Sequence, residues 1–96
     1  MKWIRKPVVV DAQCWDGTPD AVDAIERMLP EPTDFQVLDS VWMDSPDATA
    51  ICRSGWRGGA WVAMYTGDYV VVDDSGVAFP LNRAVFEETY ERLGNG

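Results

Sequence analysis

Histidine is absent from the 96 residues of this protein, and cysteine occurs only twice. Histidine is the commonest general base in enzymes and the commonest metal ligand, so its absence removes the usual partner of a nucleophilic serine or cysteine. Two cysteines without a Cys-x-x-Cys spacing also exclude a four-cysteine zinc site within one chain. We expect Cys14 and Cys52 to be reduced, unbridged and buried, since small buried thiols are typical of a reducing cytoplasm.

Basic residues are scarce and apolar runs are short. Eight Lys and Arg stand against sixteen Asp and Glu, which gives a formal net charge of −8. Such a surface repels nucleic acid and anionic membranes unless basic residues gather in one patch, and the only local excess is Lys2, Arg5 and Lys6. No run approaches the ~18 apolar residues of a membrane span, and the apolar run at residues 8–10 is too short for a signal peptide. We therefore expect no direct binding of nucleic acid, no membrane insertion and a cytoplasmic location.

The first third of the chain predicts one strand and one helix. Residues 8–15 alternate, with Asp11 and Gln13 on the wet side of a strand. Thr18 and Pro19 are typical of a helix N-terminus, so residues 19–29 are predicted to form an α-helix. Its buried stripe is predicted to consist of Ala21, Val22, Ile25, Met28 and Leu29.

The rest of the chain predicts mainly β-structure. Five strands are expected at residues 35–42, 48–53, 60–65, 69–73 and 77–79, and residues 43–47 are predicted by composition to form a turn between the first two. Pro80 is expected to end the last of these, and Asn82 to cap a short helical turn through Phe86. Residues 88–93 are predicted to form a final strand beside the first one. The fold class is therefore α+β: a single domain over residues 1–96, with a curved or partly closed antiparallel sheet and one covering helix.

Clusters of acidic residues give no firm sign of catalysis or of a metal site. Asp73-Asp74 lies where a hairpin turn is predicted, and Asp is favoured in turns for its hydrogen bonds to the backbone. The Asp-x-[Asp/Asn]-x-[Asp/Asn]-Gly spacing of a calcium loop is missing. We expect no catalytic residue, no metal and no cofactor, and an enzyme is the least favoured class of function.

The glycine-rich segment Ser54-Gly55-Trp56-Arg57-Gly58-Gly59 is the most unusual loop. It lacks the Gly-Lys-[Ser/Thr] ending of a phosphate-binding loop and joins two strands rather than a strand and a helix. Trp and Arg are enriched in the hot spots of protein interfaces, so Trp56 and Arg57 are the candidate partner-binding residues. The alternative is that the loop folds back as a lid on the sheet.

Two groups of motifs resemble those of a family of small bacteriophage and prophage accessory proteins. The first is Lys6-Pro7-Val8-Val9-Val10-Asp11-Ala12 with Trp15-Asp16-Gly17. The second is Gly67-Asp68-Tyr69-Val70-Val71, Asp74-Ser75-Gly76, Phe79-Pro80 and Val85-Phe86-Glu87-Glu88-Thr89-Tyr90-Glu91. Tyr69 stands where members more often have Trp, and residues 30–59 match no part of the pattern. The resemblance implies a viral origin and no known enzymatic activity, cofactor or catalytic residue.

Together these features predict a phage-encoded, non-enzymatic protein that binds a host bacterial protein in the host cytoplasm and modulates or inhibits it. The partner would be a replication, division or defence factor. Two alternatives stay open. One is an acidic mimic of DNA that presents Asp20, Asp23 and Glu26 to a host DNA-binding protein. The other is a minor structural component of the virion.

Overall fold

A computed structural model describes residues 10–90 of the protein, without the side chain of Trp56. The described chain forms six strands and two α-helices. In chain order these are β1 (Asp11–Cys14), α1 (Pro19–Met28), β2 (Phe35–Val37), β3 (Ala50–Ser54), β4 (Ala60–Met64), β5 (Tyr69–Val72), β6 (Ala78–Leu81) and α2 (Arg83–Thr89). Two single-turn 3-10 helices, Pro32–Asp34 and Gly55–Arg57, precede β2 and follow β3.

The strands form two antiparallel sheets of three strands each, with the orders β1-β5-β6 and β2-β3-β4. The predicted α+β class is confirmed, although neither sheet closes and the strands are divided between two sheets. The division occurs at the turn between β4 and β5. There the Gly67 N–H donates to the Trp15 carbonyl, and the Trp15 N–H donates to the Asp68 carbonyl, each at 2.7 Å. This turn therefore docks on the end of β1 and directs β5 into the other sheet.

The predicted pairing of residues 88–93 with the first strand is wrong. The partner of β1 is β5, with Asp11 opposite Val72, while Glu88 and Thr89 belong to α2. Residues 91–93 lie outside the described residues, as do residues 8 and 9 of the predicted first strand. This helix begins as predicted, because the Asn82 side chain caps its N-terminus and accepts from the Val85 N–H at 2.8 Å.

The two predicted strand ends at Trp42 and Pro80 are also wrong. Pro80 lies inside β6, opposite Val70, because an edge strand tolerates a residue that has no N–H to donate. The strand predicted over residues 35–42 stops at Val37. Trp42 instead forms an isolated bridge with Ser45, which closes a tight turn.

The helix α1 covers the core between the two sheets. It begins as predicted, since the Thr18 hydroxyl accepts from the Ala21 N–H at 3.2 Å, and it ends one residue earlier, with Leu29 as its C-cap. Trp15 from the first sheet meets Phe35 from the second edge to face, with ring centroids 5.3 Å apart. The buried cluster comprises Trp15, Ala21, Ile25, Leu29, Phe35, Ala50, Cys52, Met64, Val70 and Val72.

Candidate functional site

The hairpin between β3 and β4 ends in a short turn that we call the tip, residues 55–59. Its first three residues form a 3-10 helix, and Gly58 and Gly59 follow in the left-handed region with φ of 66° and 85°. The Gly59 N–H donates to the Ser54 carbonyl at 2.9 Å, which closes the turn. Glycine at both positions avoids the steric cost that a side chain would carry there, so the sequence itself makes this tight reversal feasible.

Gly55 fixes the tip against the neighbouring sheet. A Cβ atom built on Gly55 would collide with Cγ1 of Val77 and would lie 3.4 Å from the carbonyl oxygen of Ala78. Only a residue without a side chain allows this approach of the tip to β6. The tip is therefore held by close packing at its base.

A turn organised by Asp73 places Val77 opposite Gly55. Oδ1 of Asp73 accepts from the Ser75 N–H, the Ser75 hydroxyl and the Val77 N–H, at 2.9, 2.8 and 2.9 Å. The hydrogen bond from Val77, followed by that from the Ser75 side chain, lowers the pKa of the Asp73 carboxyl below its ordinary value. The predicted role of Asp73 as a turn residue is confirmed.

Arg57 and Arg53 differ in what they contact. The Arg53 guanidinium lies over the ring of Trp61, 4.7 Å from its centroid, and its Nε is 3.7 Å from Oδ1 of Asp34. Arg57 is exposed and forms no ion pair with any residue in the 10–90 range. Arg57 is thus an exposed cation without an ion-pair partner in the described part of the chain, as a partner-binding residue requires.

A cleft of about 420 Å³ opens beside the tip. Three segments line it: the residues after α1, the end of β3 with the tip, and the turn between β5 and β6 with the start of β6. They contribute Pro30, Glu31, Asp34, Arg53, Gly55, Gly59, Gly76, Val77 and Ala78. The lining combines an apolar surface with charges of both signs. The size of the cleft suits a few side chains of a partner rather than an enclosed small molecule.

The three carboxylates of the predicted acidic face lie on α1. Asp20, Asp23 and Glu26 are all exposed, and none of them lines the cleft. Asp23 is already paired, because its Oδ2 is 2.9 Å from the Arg27 guanidinium one helical turn later. The structure therefore does not bring this face and the tip together into one site.

The two cysteines are free, and their surroundings differ. Cys52 is fully buried, and burial, followed by the nearby charge of Asp34, raises its pKa to about 12. Cys14 is less buried than Cys52 because it lies at the end of an edge strand, so the prediction that both thiols are substantially buried holds best for Cys52. Burial, followed by the charge of Asp16, also raises the Cys14 pKa. A thiol held protonated is a poor nucleophile.

A second exposed turn, at residues 41–45, overlaps the turn predicted at residues 43–47 but begins earlier, because Val41 and Trp42 continue a strand-like pattern in the sequence. Val41 and Met43 are 68% and 78% exposed, while Trp42 is half-buried. Met43 adopts a φ of 48°, which is unusual for a residue other than glycine. The sequence signal for the exposed apolar residues of this turn was the run Val41-Trp42-Met43 between Asp39 and Asp44. This run is short for a strand and unusually apolar for a loop.

Comparisons with protein-family models, with curated proteins and with solved structures find no match. Among the described residues, no three Cys, Asp or Glu side chains come together in a way that could hold a metal ion. No helix within residues 10–90 has the length and apolar character needed to cross a membrane.

Proposed function

We propose that this protein is a phage-encoded, non-enzymatic accessory protein that binds a host bacterial protein in the host cytoplasm and inhibits or redirects it. The tip, with Trp56 and Arg57, is the proposed contact surface. The observation that carries the proposal is a base fixed by the Gly55–Val77 contact, combined with an exposed Arg57 that has no ion-pair partner among residues 10–90.

A fixed base favours binding because ordering a loop on association costs free energy. A tip already held in one conformation loses less entropy than a flexible one when a partner docks. Arg57 can then donate a pair of hydrogen bonds to a carboxylate of the partner, a geometry that guanidinium groups favour. The adjacent cleft offers Pro30, Val77 and Ala78 as an apolar surface for a neighbouring side chain of the partner.

Affinity capture from a lysate of the host bacterium, followed by measurement of Kd for the captured protein, tests the proposal. We expect Trp56→Ala and Arg57→Ala each to weaken binding by about tenfold or more, as hot-spot residues do. Arg27→Ala is the matched control, because Arg27 is an exposed arginine on α1 away from the cleft. Equal affinity for all three variants, or no captured protein at all, would contradict the proposal.

The acidic mimic of DNA receives less support from the described residues. All three carboxylates of α1 are exposed, as that function requires, but the charge of Asp23 is compensated by Arg27. If this alternative holds, neutralising Asp20, Asp23 and Glu26 together will weaken partner binding, and added salt will weaken it steeply. Under the tip proposal the Trp56→Ala change has the larger effect. Detection of the protein in purified virions by mass spectrometry would instead favour the structural alternative.

A further inference from the structure

The exposed apolar side chains are concentrated beside one turn. Five large hydrophobic residues in the described chain are exposed, and three of them, Val37, Val41 and Met43, fall within seven residues. Their exposed fractions are 51%, 68% and 78%. The other two are far apart in the chain, Tyr65 directly after β4 and Val85 in α2, and isolated surface hydrophobics need no explanation. The grouping of three exposed hydrophobic residues at positions 37–43 therefore needs an explanation.

The backbone holds these side chains outward. The Ser45 N–H donates to the Trp42 carbonyl at 2.9 Å, and the Leu38 N–H donates to the Thr49 carbonyl at 3.0 Å. Met43 lies within the turn that the bond from Ser45 to Trp42 closes, and its backbone is in the left-handed conformation. This conformation costs roughly 1–2 kcal/mol for a residue with a side chain. Burial of the Met43 side chain does not offset this cost, because most of that side chain is in solvent.

The charges around this turn all have one sign. Residues 28–52 include no Lys or Arg. The carboxylates in this range are Glu31, Asp34, Asp39, Asp44 and Asp47. Asp39, Asp44 and Asp47 are exposed and form no ion pair within the described chain. A second copy of this chain would meet the same carboxylates with its own, so self-association through this surface is disfavoured by like charges.

We infer that Val37, Val41 and Met43, with Asp39, Asp44 and Asp47 around them, form a docking patch for a cationic amphipathic segment of a partner protein. Apolar side chains of that segment would cover Val41 and Met43, and its Lys or Arg groups would reach the three aspartates. A methionine side chain adapts its shape to different apolar surfaces, which suits a contact of this kind. The inference shares with the proposed function the premise of a contact role, but it concerns a different surface from the tip.

An NMR titration of the full chain with synthetic peptides tests the patch. The probe is an amphipathic helical peptide of leucine and lysine, about 18 residues long so that it can form a helix, and a leucine and glutamate peptide of the same pattern is its control. We expect saturable shifts of the backbone amides of residues 37–47 with the lysine peptide and none with the glutamate peptide. The double change Val41→Ser with Met43→Ser should weaken binding at least ~10-fold.

The control variant carries Tyr65→Ser and Val85→Ser, at the two other large hydrophobic residues that are exposed within residues 10–90, and should change the affinity less than ~2-fold. Unchanged affinity of the Val41→Ser and Met43→Ser variant, equal binding of both peptides, or shifts centred on α1 would each overturn the inference. Concentration-dependent dimerisation that this variant abolishes would overturn it too. Arg57→Ala separates the two proposals, because it should leave peptide binding unchanged even if it abolishes host-protein capture.

Discussion

The tip follows β3 in the chain, and the turn at residues 41–45 precedes it. Both turns contain residues with positive φ, but they differ in the type of residue that adopts this conformation. At the tip, two glycines occupy the left-handed region, and a third allows the hairpin to pack against Val77. At the turn, Met43 takes the left-handed conformation with its side chain in solvent. One end of the strand is thus built for close packing, whereas the other keeps apolar side chains exposed at a cost in stability.

The tip can be explained by its contribution to the stability of the fold, whereas the exposed apolar side chains of the turn at residues 41–45 cannot. Close packing at Gly55 contributes to the folded state whether or not a partner exists. An exposed methionine in a disfavoured conformation contributes nothing visible to folding, and such outliers motivate a hypothesis of function. Substitutions at the two ends of β3 should therefore change stability in opposite directions.

The largest expected effect belongs to Gly55→Ala. The added methyl group would overlap Cγ1 of Val77, a stiff β-branched side chain, so either the tip or β6 must shift. We expect the free energy of unfolding to fall by about 1–3 kcal/mol, the usual cost of overpacking. Urea denaturation followed by tryptophan fluorescence measures this change.

The same substitution in a Val77→Ala background isolates the contact. Removal of Cγ1 leaves the new methyl group with only ordinary contacts to Val77 Cβ at 3.6 Å and to the Ala78 carbonyl oxygen at 3.4 Å. Gly55→Ala should then cost less than ~0.5 kcal/mol. An equal cost in both backgrounds would mean that the tip is not fixed by this contact.

Cysteine labelling reports whether a change at the tip reaches the strand between the two turns. Cys52 is fully buried in β3, and its pKa of about 12 leaves almost no thiolate at neutral pH, so a thiol reagent should modify Cys14 first. Gly55→Ala should accelerate modification of Cys52 by about 5- to 150-fold, which corresponds to 1–3 kcal/mol. Mass spectrometry of the labelled peptides measures both rates. Rapid labelling of Cys52 in the unaltered protein would contradict its burial.

Local signals were sufficient to predict much of the fold from the sequence. Thr18 and Pro19 marked the start of α1, and Asn82 marked the start of α2, because capping depends on neighbouring residues. The partner of β1 was not predictable in this way. Pairing of strands distant in the chain is decided by the whole core, here by the turn at Gly67 that docks on Trp15.

The candidate site, too, was predictable from the sequence only in its local features. The composition of the tip indicated an unusual loop around Trp56 and Arg57, and the sequence left open whether it projects or folds back. The contact between Gly55 and Val77 joins the hairpin turns of the two different sheets, which are distant in the sequence, so a local sequence pattern cannot predict it. The turn at residues 41–45 was predictable from composition only from Met43 onward. Val41 and Trp42 fit the preceding strand, and only the bridge from Trp42 to Ser45 reveals the earlier reversal.

A smaller effect of opposite sign is expected for Met43→Gly. Glycine adopts a φ of 48° without steric cost, and the replaced side chain is mostly in solvent, so we expect the free energy of unfolding to rise by about 0.5–1 kcal/mol. Val41→Gly is the matched control, because Val41 is exposed but has no positive φ. It should be neutral or destabilising. If Met43→Gly also destabilises, the turn is supported by its side chain, and the contrast with the tip fails.

The smallest effect concerns the turn that places Val77 opposite the tip. Hydrogen bonds lower the pKa of Asp73 in the folded state, so its carboxylate stabilises the fold above the unfolded pKa of about 3.9. That contribution is lost as the pH falls through the lowered folded-state pKa. Asp73→Asn keeps an oxygen acceptor but has no charge, so its deficit in stability relative to the unaltered protein should narrow on acidification. Urea midpoints measured from about pH 5 to about pH 2 test this.

Asp74→Asn is the control, because Asp74 accepts none of the hydrogen bonds that close this turn. A deficit that stays constant with pH would show that the charge of Asp73 does not help to hold Val77, and with it the base of the tip, in place.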